Sequence, residues 1–354
     1  MRTKLSDVAR RAGVSAMTVS NVINGRFGQM RLATRHAVEE AIRELAYRPH
    51  AAGRSLRLDE RLSVGMLVID EAPAFLSDPF TAHLIAGMTN FLSSKGYGVV
   101  VQGVKPNDFE NSVFVSKFST DGLGILMSGP PDSYPQRIRS IASLGQPTVL
   151  FEVKLEEEYE NVCSVRQDNF GGGESIARHL IENGARRFLI VLPRLSWPAI
   201  LERQRGIMSV LGQSRDVHID VALCDEDLGA TQAAVRSKID TSQIPDAIIG
   251  GNDQMAIAAM NLLTKRGIRV PEDVIVTGFN AFEFRYYANP LLTSVVSPVQ
   301  QMGVRAAEEL LRKIKTGSFS ERDIVFSTEL VVGDSSRRKC EDVTADSKAC
   351  RPGS

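Results

Sequence analysis

The sequence predicts an α/β protein, with a small N-terminal bundle of three helices followed by a body of two doubly wound subdomains. Three observations carry this. The first 46 residues hold three short helical patterns, each with one apolar stripe. From Leu62 onward, apolar strand-like runs alternate with helix-like segments, and the charge is divided between these two parts.

Residues 5–12, LSDVARRA, set Leu5, Val8, Ala9 and Ala12 on one helical face, with Ser6 as the expected N-cap. Gly13 permits a tight reversal and Ser15 can cap a second helix. Val19, Val22 and Ile23 then recur at helical spacing until Asn24-Gly25. A third helix is expected over 34–46, where Ala37, Val38, Ala41, Ile42 and Leu45 close a small core before Pro49.

LSVGMLVI, from Leu62, reads as a strand buried on both faces. Further strands are expected at 97–102, 122–127, 147–152, 187–192, 246–251 and 273–279. Helical periodicity falls at 80–95, 170–183, 199–212, 229–239 and 253–266. Such alternation implies parallel sheets wrapped in helices.

Residues 1–61 hold 12 Lys/Arg against 6 Asp/Glu, and the remaining chain 30 against 36, so a formally neutral protein is basic at one end and acidic elsewhere. A nucleic-acid module joined to an acidic body has this asymmetry, because cations that neutralise phosphates release condensed counterions. No apolar run has the roughly 18 residues a membrane helix needs. The N-terminus carries no secretory apolar stretch, so a cytoplasmic location is expected. Cys163, Cys224, Cys340 and Cys350 have no paired spacing and no H-x-x-x-H occurs, so neither a metal nor a disulfide framework is expected, and no cofactor.

The string LSDVARRAGVSAMTVSNVING at 5–25 closely resembles the headpiece of the lactose-repressor (LacI/GalR) family. The likeness continues through Thr34-Arg35, Leu45-Ala46-Tyr47-Arg48-Pro49 and Arg54-Ser55-Leu56. A looser likeness runs through DPF (78–80), DGLGIL (121–126), DN (168–169), RQRG (203–206), GNDQMAIAAM (251–260), VTGFN (276–280) and PLLTSV (290–295). The resemblance implies a helix-turn-helix headpiece over 1–49, a hinge helix and linker over 50–61, and a periplasmic-binding-protein-like core. The first core subdomain is expected over 62–160 and 291–329, the second over 161–290 and 330–338, with a disordered tail over 339–354.

By that resemblance the protein is a sequence-specific DNA-binding transcription regulator. It would be a repressor acting as a homodimer on a palindromic operator, controlled by a small-molecule effector such as a sugar or sugar derivative. Ala16, Met17 and Asn21 are the expected base readers, while Ser15, Thr18 and Ser20 are expected at phosphates or as caps, with Arg31 near phosphate. Leu56 aligns with the leucine that wedges into the minor groove, and Gly53 stands there where the family usually has alanine.

Between the subdomains, Phe80 and Trp197 are expected as walls and Arg203, Asn252, Asp168 and Asn280 as polar contacts to the effector, with Asp253 as a helix cap. Asn280 replaces the aspartate usual in sugar- and purine-binding relatives, and a neutral amide donates as well as accepts, which opens the way to a different hydroxyl pattern or an anionic ligand.

The run Phe170-Gly171-Gly172-Gly173-Glu174 fits neither G-x-G-x-x-G nor a P-loop, and no nucleophile elbow or triad appears, so no enzyme is expected. A transported solute-binding protein would have no use for the basic headpiece. Control by a protein co-regulator remains the alternative among regulators.

Overall fold

The computed structural model describes residues 3–23, 25–28, 30–47, 61–71, 75–117, 119–195, 197–214 and 216–337. The hinge segment with Gly53 and Leu56, and the tail 339–354, lie outside the described residues. The chain forms two compact units, 1–62 and 63–354.

The first unit comprises α1 (Leu5–Ala12), α2 (Ala16–Ile23) and α3 (Leu32–Glu44). Val8, Ala9, Val19, Val22, Val38 and Ala41 form its core, the stripe positions expected from the sequence. Gly13 makes the reversal at φ +66°, and Ser15 Oγ accepts from Thr18 N at 3.1 Å, capping α2. Ser6 caps nothing: α1 starts one residue before it, and the Lys4 N–H donates to the Asp7 carboxylate at 2.8 Å instead. The third helix begins at Leu32, two residues earlier than expected.

The second unit is built on two six-stranded sheets. The first contains β1 (Ser63–Ile69), β2 (Gly98–Val104), β3 (Gly122–Met127), β4 (Thr148–Phe151), β5 (Val162–Gln167) and β11 (Asp323–Phe326), in the order β11-β5-β4-β3-β1-β2, all parallel. The second contains β6 (Arg187–Pro193), β7 (His218–Cys224), β8 (Ala247–Gly250), β9 (Ile275–Asn280), β10 (Thr293–Val296) and β12 (Glu329–Val331), in the order β12-β10-β9-β8-β6-β7. Only the β10–β12 pairing is antiparallel in this sheet. The β1 residues from Val64 to Ile69 are all buried, as a run apolar on both faces requires.

Helices α4 (Pro79–Ser94), α5 (Val113–Ser116), α6 (Tyr134–Ser143) and α11 (Val299–Thr316) accompany the first sheet. The second carries α7 (Asn169–Glu182), α8 (Pro198–Leu211), α9 (Leu228–Thr241) and α10 (Asp253–Lys265).

Strand membership moves the expected subdomain boundaries. β5 belongs to the first sheet, so the first crossing falls at Asp168 rather than at 160. β10 belongs to the second, so the return falls at 297–298 rather than at 291, and the last crossing lies between β11 and β12 at 327–328. The first and last crossings are tied together: Asp168 N donates to Phe326 O at 2.8 Å, and Thr328 Oγ1 donates to Asp168 O at 3.0 Å.

The glycines of 171–173 and 203–206 serve close packing. A Cβ on Gly173 would stand 2.3 Å from Arg203 O, and one on Gly206 would stand 2.0 Å from Phe170 O. Helices α7 and α8 therefore approach backbone to backbone, and this crossing sets where the α8 side chains emerge.

Candidate functional site

The carboxyl ends of the strands in both sheets face a cleft of about 330 Å³. Strand ends and helix N-termini converge there, the general location for ligands in open α/β sheets. The first half contributes Asp70 after β1, Phe75, Ser77, Asp78 and Phe80 around the start of α4, Leu126 of β3 and Glu152 after β4. The second contributes Trp197 to Ile200 and Arg203 from the start of α8, Asp225 to Asp227 after β7, Asn252 and Gln254 at the start of α10, and Asn280 at the end of β9.

Arg203 stands at the floor, 4% exposed. Its Nε donates to Asn169 Oδ1 at 2.9 Å, Nη1 to Gly251 O at 2.8 Å and Nη2 to Asn280 Oδ1 at 3.0 Å. Three of five N–H groups are thus taken by described residues, and Arg203 lines the cleft. Burial pulls its pKa down to about 10, against the pull of Glu152, Asp253 and Glu226, so it stays charged.

Asn252 performs two tasks: Oδ1 accepts from Met255 N at 2.9 Å and caps α10, while Nδ2 donates to Glu226 Oε1 at 2.7 Å. Desolvation first, and the facing carboxylates Asp78 and Asp70 second, push the Glu226 carboxyl up to about 7. Glu226 as a residue remains open to solvent at the cleft mouth, so its raised pKa reflects the enclosed carboxyl end, partly screened by water. Glu152, fully enclosed, is also pushed to about 7 by burial, with Arg203 pulling the other way. Glu152 (φ 63°), Asn280 (φ 102°) and Ala281 (φ 49°) hold backbone angles that non-glycine residues rarely adopt, and two of them line the cleft.

Of the residues expected from the sequence, Phe80, Trp197, Arg203, Asn252 and Asn280 come together here. Asp168 does not: it is exposed, and its Oδ1 caps α7 by accepting from Gly171 N at 2.9 Å. The neighbouring Asn169 turns inward in its place. Asp253 is not the cap of α10, a task Asn252 performs. Its carboxylate accepts from Phe282 N at 3.1 Å and from Ser294 Oγ, joining α10 to the ends of β9 and β10. Asp70, Phe75, Glu152, Glu226 and Gln254 were missed, because nothing in their sequence spacing separates them from ordinary loop residues.

Among the described residues, six carboxylates, Asp70, Asp78, Glu152, Asp225, Glu226 and Asp227, line the cleft against the single cation Arg203. The lining is acidic, with Glu152 and Glu226 near 7 able to keep their protons.

In the headpiece, Ala16 and Met17 are exposed at the start of α2, Met17 by 66%, and Asn21 is half-buried one turn on. An exposed helix N-terminus is the part of a recognition helix that reaches base edges. Ser15 and Thr18 bond to each other through their hydroxyls at 2.9 Å, and Arg31 is exposed at the N-cap of α3. Ser20 is buried, 5% exposed.

The model of bacterial regulatory proteins of the lacI family matches residues 4–50, and that of the periplasmic binding protein-like domain matches 177–336. The HTH-type transcriptional regulator CelR of Thermobifida fusca is 32% identical over 94% of this chain and 98% of its own. The HTH-type transcriptional repressor PurR of Vibrio atlanticus is 28% identical over 92% and 96%. Among solved structures, a CelR–cellobiose complex is similar at 31% identity and TM-score 0.69, covering 94% of this chain and all of that one. The lac repressor dimer bound to operator and the anti-inducer ONPF shares the fold at TM-score 0.83 and 23% identity, covering 95% and 99%. A helix-turn-helix headpiece, a ligand-sized cleft between two largely parallel sheets and these full-length likenesses converge: the chain belongs to the lacI family of bacterial regulatory proteins, a ligand-controlled DNA-binding transcription regulator and not an enzyme.

Proposed function

We propose that this regulator is a repressor that binds a palindromic operator as a homodimer in the bacterial cytoplasm, and that its effector is an uncharged saccharide held in the cleft. The observation that carries the ligand class is the lining itself. Carboxylates and amides accept from sugar hydroxyls, the two spare N–H groups of Arg203 donate to them, and Phe75, Phe80 and Trp197 supply apolar wall for a sugar face. The acidic lining, four aspartates beside Glu152 and Glu226, disfavours phosphorylated sugars and sugar acids. A relative 31% identical to this chain was solved with cellobiose, which supports the same class here.

Self-association is supported by apolar side chains left open on the second unit: Leu228 (56% exposed), Tyr286 (66%) and Tyr287 (86%). Leu228 and Tyr287 border a second hollow with Ile257 and Phe284, a surface suited to a copy of itself. A two-fold dimer presents two headpieces to half-sites about one helical turn apart.

Trp197 is the only tryptophan and lines the cleft, so its fluorescence reports occupancy. Titration with cellobiose, other neutral mono- and disaccharides, sugar phosphates, sugar acids and purines is expected to give saturable changes with neutral sugars alone. The same sugar should alter operator affinity. Saturation by a sugar phosphate or acid would overturn the ligand class, and silence across the panel would favour a protein co-regulator.

A further inference from the structure

The amide of Asn169 joins the two halves of the cleft. Asn169 is the first residue of α7, just past the first crossing, and is 4% exposed. Its Nδ2 donates to Glu152 Oε2, in the first half, and its Oδ1 accepts from Arg203 Nε at 2.9 Å, in the second. The other Glu152 oxygen accepts from Gln167 N at 3.3 Å, at the end of β5. On its far side Arg203 meets Asn280 Oδ1, which also accepts from Ser297 Oγ at 3.1 Å, at the second crossing. Glu152, Asn169, Arg203, Asn280 and Ser297 are all buried, so these groups have few alternative partners.

The chain of bonds has one polarity. With Glu152 ionised its carboxylate only accepts and the Arg203 guanidinium only donates, so the residue between them must offer a donor to one and an acceptor to the other. An amide does this in a single orientation. Flipping it would set NH₂ against the Arg203 Nε–H and oxygen against the Glu152 carboxylate.

We propose that Asn169 is a positioning residue for the effector: its amide holds the Arg203 guanidinium so that the two spare N–H groups face the cleft, and links that guanidinium to Glu152 and the first crossing. The inference rests on the cleft being the effector site. Cleft occupancy is then felt at both crossings, because a ligand that draws on Arg203 pulls on Asn169 and on Asn280 together.

The polarity gives a test by exchange, made in the full-length protein. Read above about pH 8, where Glu152 has no proton to share, Asn169→Asp keeps an acceptor for Arg203 but sets a second carboxylate against Glu152. Glu152→Gln keeps the acceptor for Gln167 N but sets NH₂ against NH₂. The double variant restores the bonds to Gln167 N and Arg203 Nε and, with its direction reversed, the bond between positions 152 and 169, giving up only the long contact from Asn169 Nδ2 to Gln167 O at 3.4 Å: the introduced glutamine donates, and the introduced aspartate accepts from both neighbours. Cellobiose binding, read by Trp197 fluorescence, is expected to weaken about tenfold or more in each single variant and to return to within about threefold in the double.

Arginine labelled with ¹⁵N gives a readout that needs no ligand. The Arg203 Nε proton should exchange slowly in wild type and in the double variant, and fast in the singles. A double variant no better than the worse single, in both readouts, would overturn the relay. So would single variants that lose only thermal stability while keeping ligand affinity and the protected proton. If wild type ignores cellobiose and every other neutral sugar, the saccharide reading falls, and the Nε proton alone decides the relay.

Discussion

The guanidinium carbon of Arg203 lies 3.7 Å from the centroid of the Phe279 ring, and that ring belongs to the apolar core of the second half. Stacking closes one face of the guanidinium while Asn169, Gly251 and Asn280 take its edges. An ammonium group cannot reproduce this planar arrangement.

Arg203→Lys is therefore expected to lose ligand response, with affinity for a neutral sugar falling tenfold or more, about 1.4 kcal/mol or beyond. Arg203→Ala should also cost stability, about 2–4 kcal/mol, since it removes the donor to Asn169 Oδ1 and to Gly251 O and one of the two donors to Asn280 Oδ1. Fluorescence titration beside denaturant unfolding separates the two losses. An unchanged sugar affinity in the lysine variant would show that the stacked fork is not part of the binding surface.

The approach of α7 and α8 depends on Gly206. A methyl group there would meet Phe170 O at 2.0 Å, and backbone cannot move aside as a side chain can. Gly206→Ala is expected to destabilise the protein by about 1–3 kcal/mol. It should also weaken ligand binding, because α8 carries Arg203. A melting temperature equal to wild type would count against the close crossing.

Asp253 and Glu152 are both buried, and burial holds each carboxyl near 7, against about 4 in an unfolded chain. Between those values the folded protein keeps protons that the unfolded chain releases. The stability this provides is complete below about pH 4 and is lost as pH rises through about 7. The melting temperature is expected to fall from pH 5 to pH 8 at constant ionic strength, and Asp253→Asn should flatten part of that slope. A rising melting temperature across that range would mean that these carboxyls are ionised in the folded protein throughout.

Met17 and Asn21 are expected to carry base preference and Arg31 phosphate attraction. Asn21→Ala should relax the selected operator consensus at one or two positions and leave the salt dependence of binding unchanged. Arg31→Ala should weaken all DNA nearly equally and reduce the salt slope by about one. Leu56→Ala should weaken operator more than nonspecific DNA, as removal of an apolar wedge requires. Selection from random duplexes and binding at several salt concentrations distinguish these outcomes, and an unaltered consensus for Asn21→Ala would remove it from the readers.

The sequence by itself determined the elements whose burial is uniform. The stripe of Val8, Val19, Val22 and Val38 and the run Val64–Ile69 show their periodicity because every inward position must be apolar. It did not show β7, an edge strand with its outer residues exposed, nor β5, where Ser164, Arg166 and Gln167 interrupt the apolar pattern. The amphipathic helix α11 was also left out of the helical segments read from the sequence. Missing β5 and β10 is what displaced the subdomain boundaries.

Arg203, Asn252 and Asn280 were legible because a familiar pattern surrounds each of them. Only the tertiary structure decided which residues meet them. Asp70, Asp78 and Glu152 come from loops and a helix start of the first half and Glu226 from a loop of the second, and their common field exists only where strand ends converge. The same holds for Asp168 and Asn169. Adjacent in the chain, one caps a helix in solvent and the other is buried between Glu152 and Arg203, because helix α7 begins between them and turns their side chains apart.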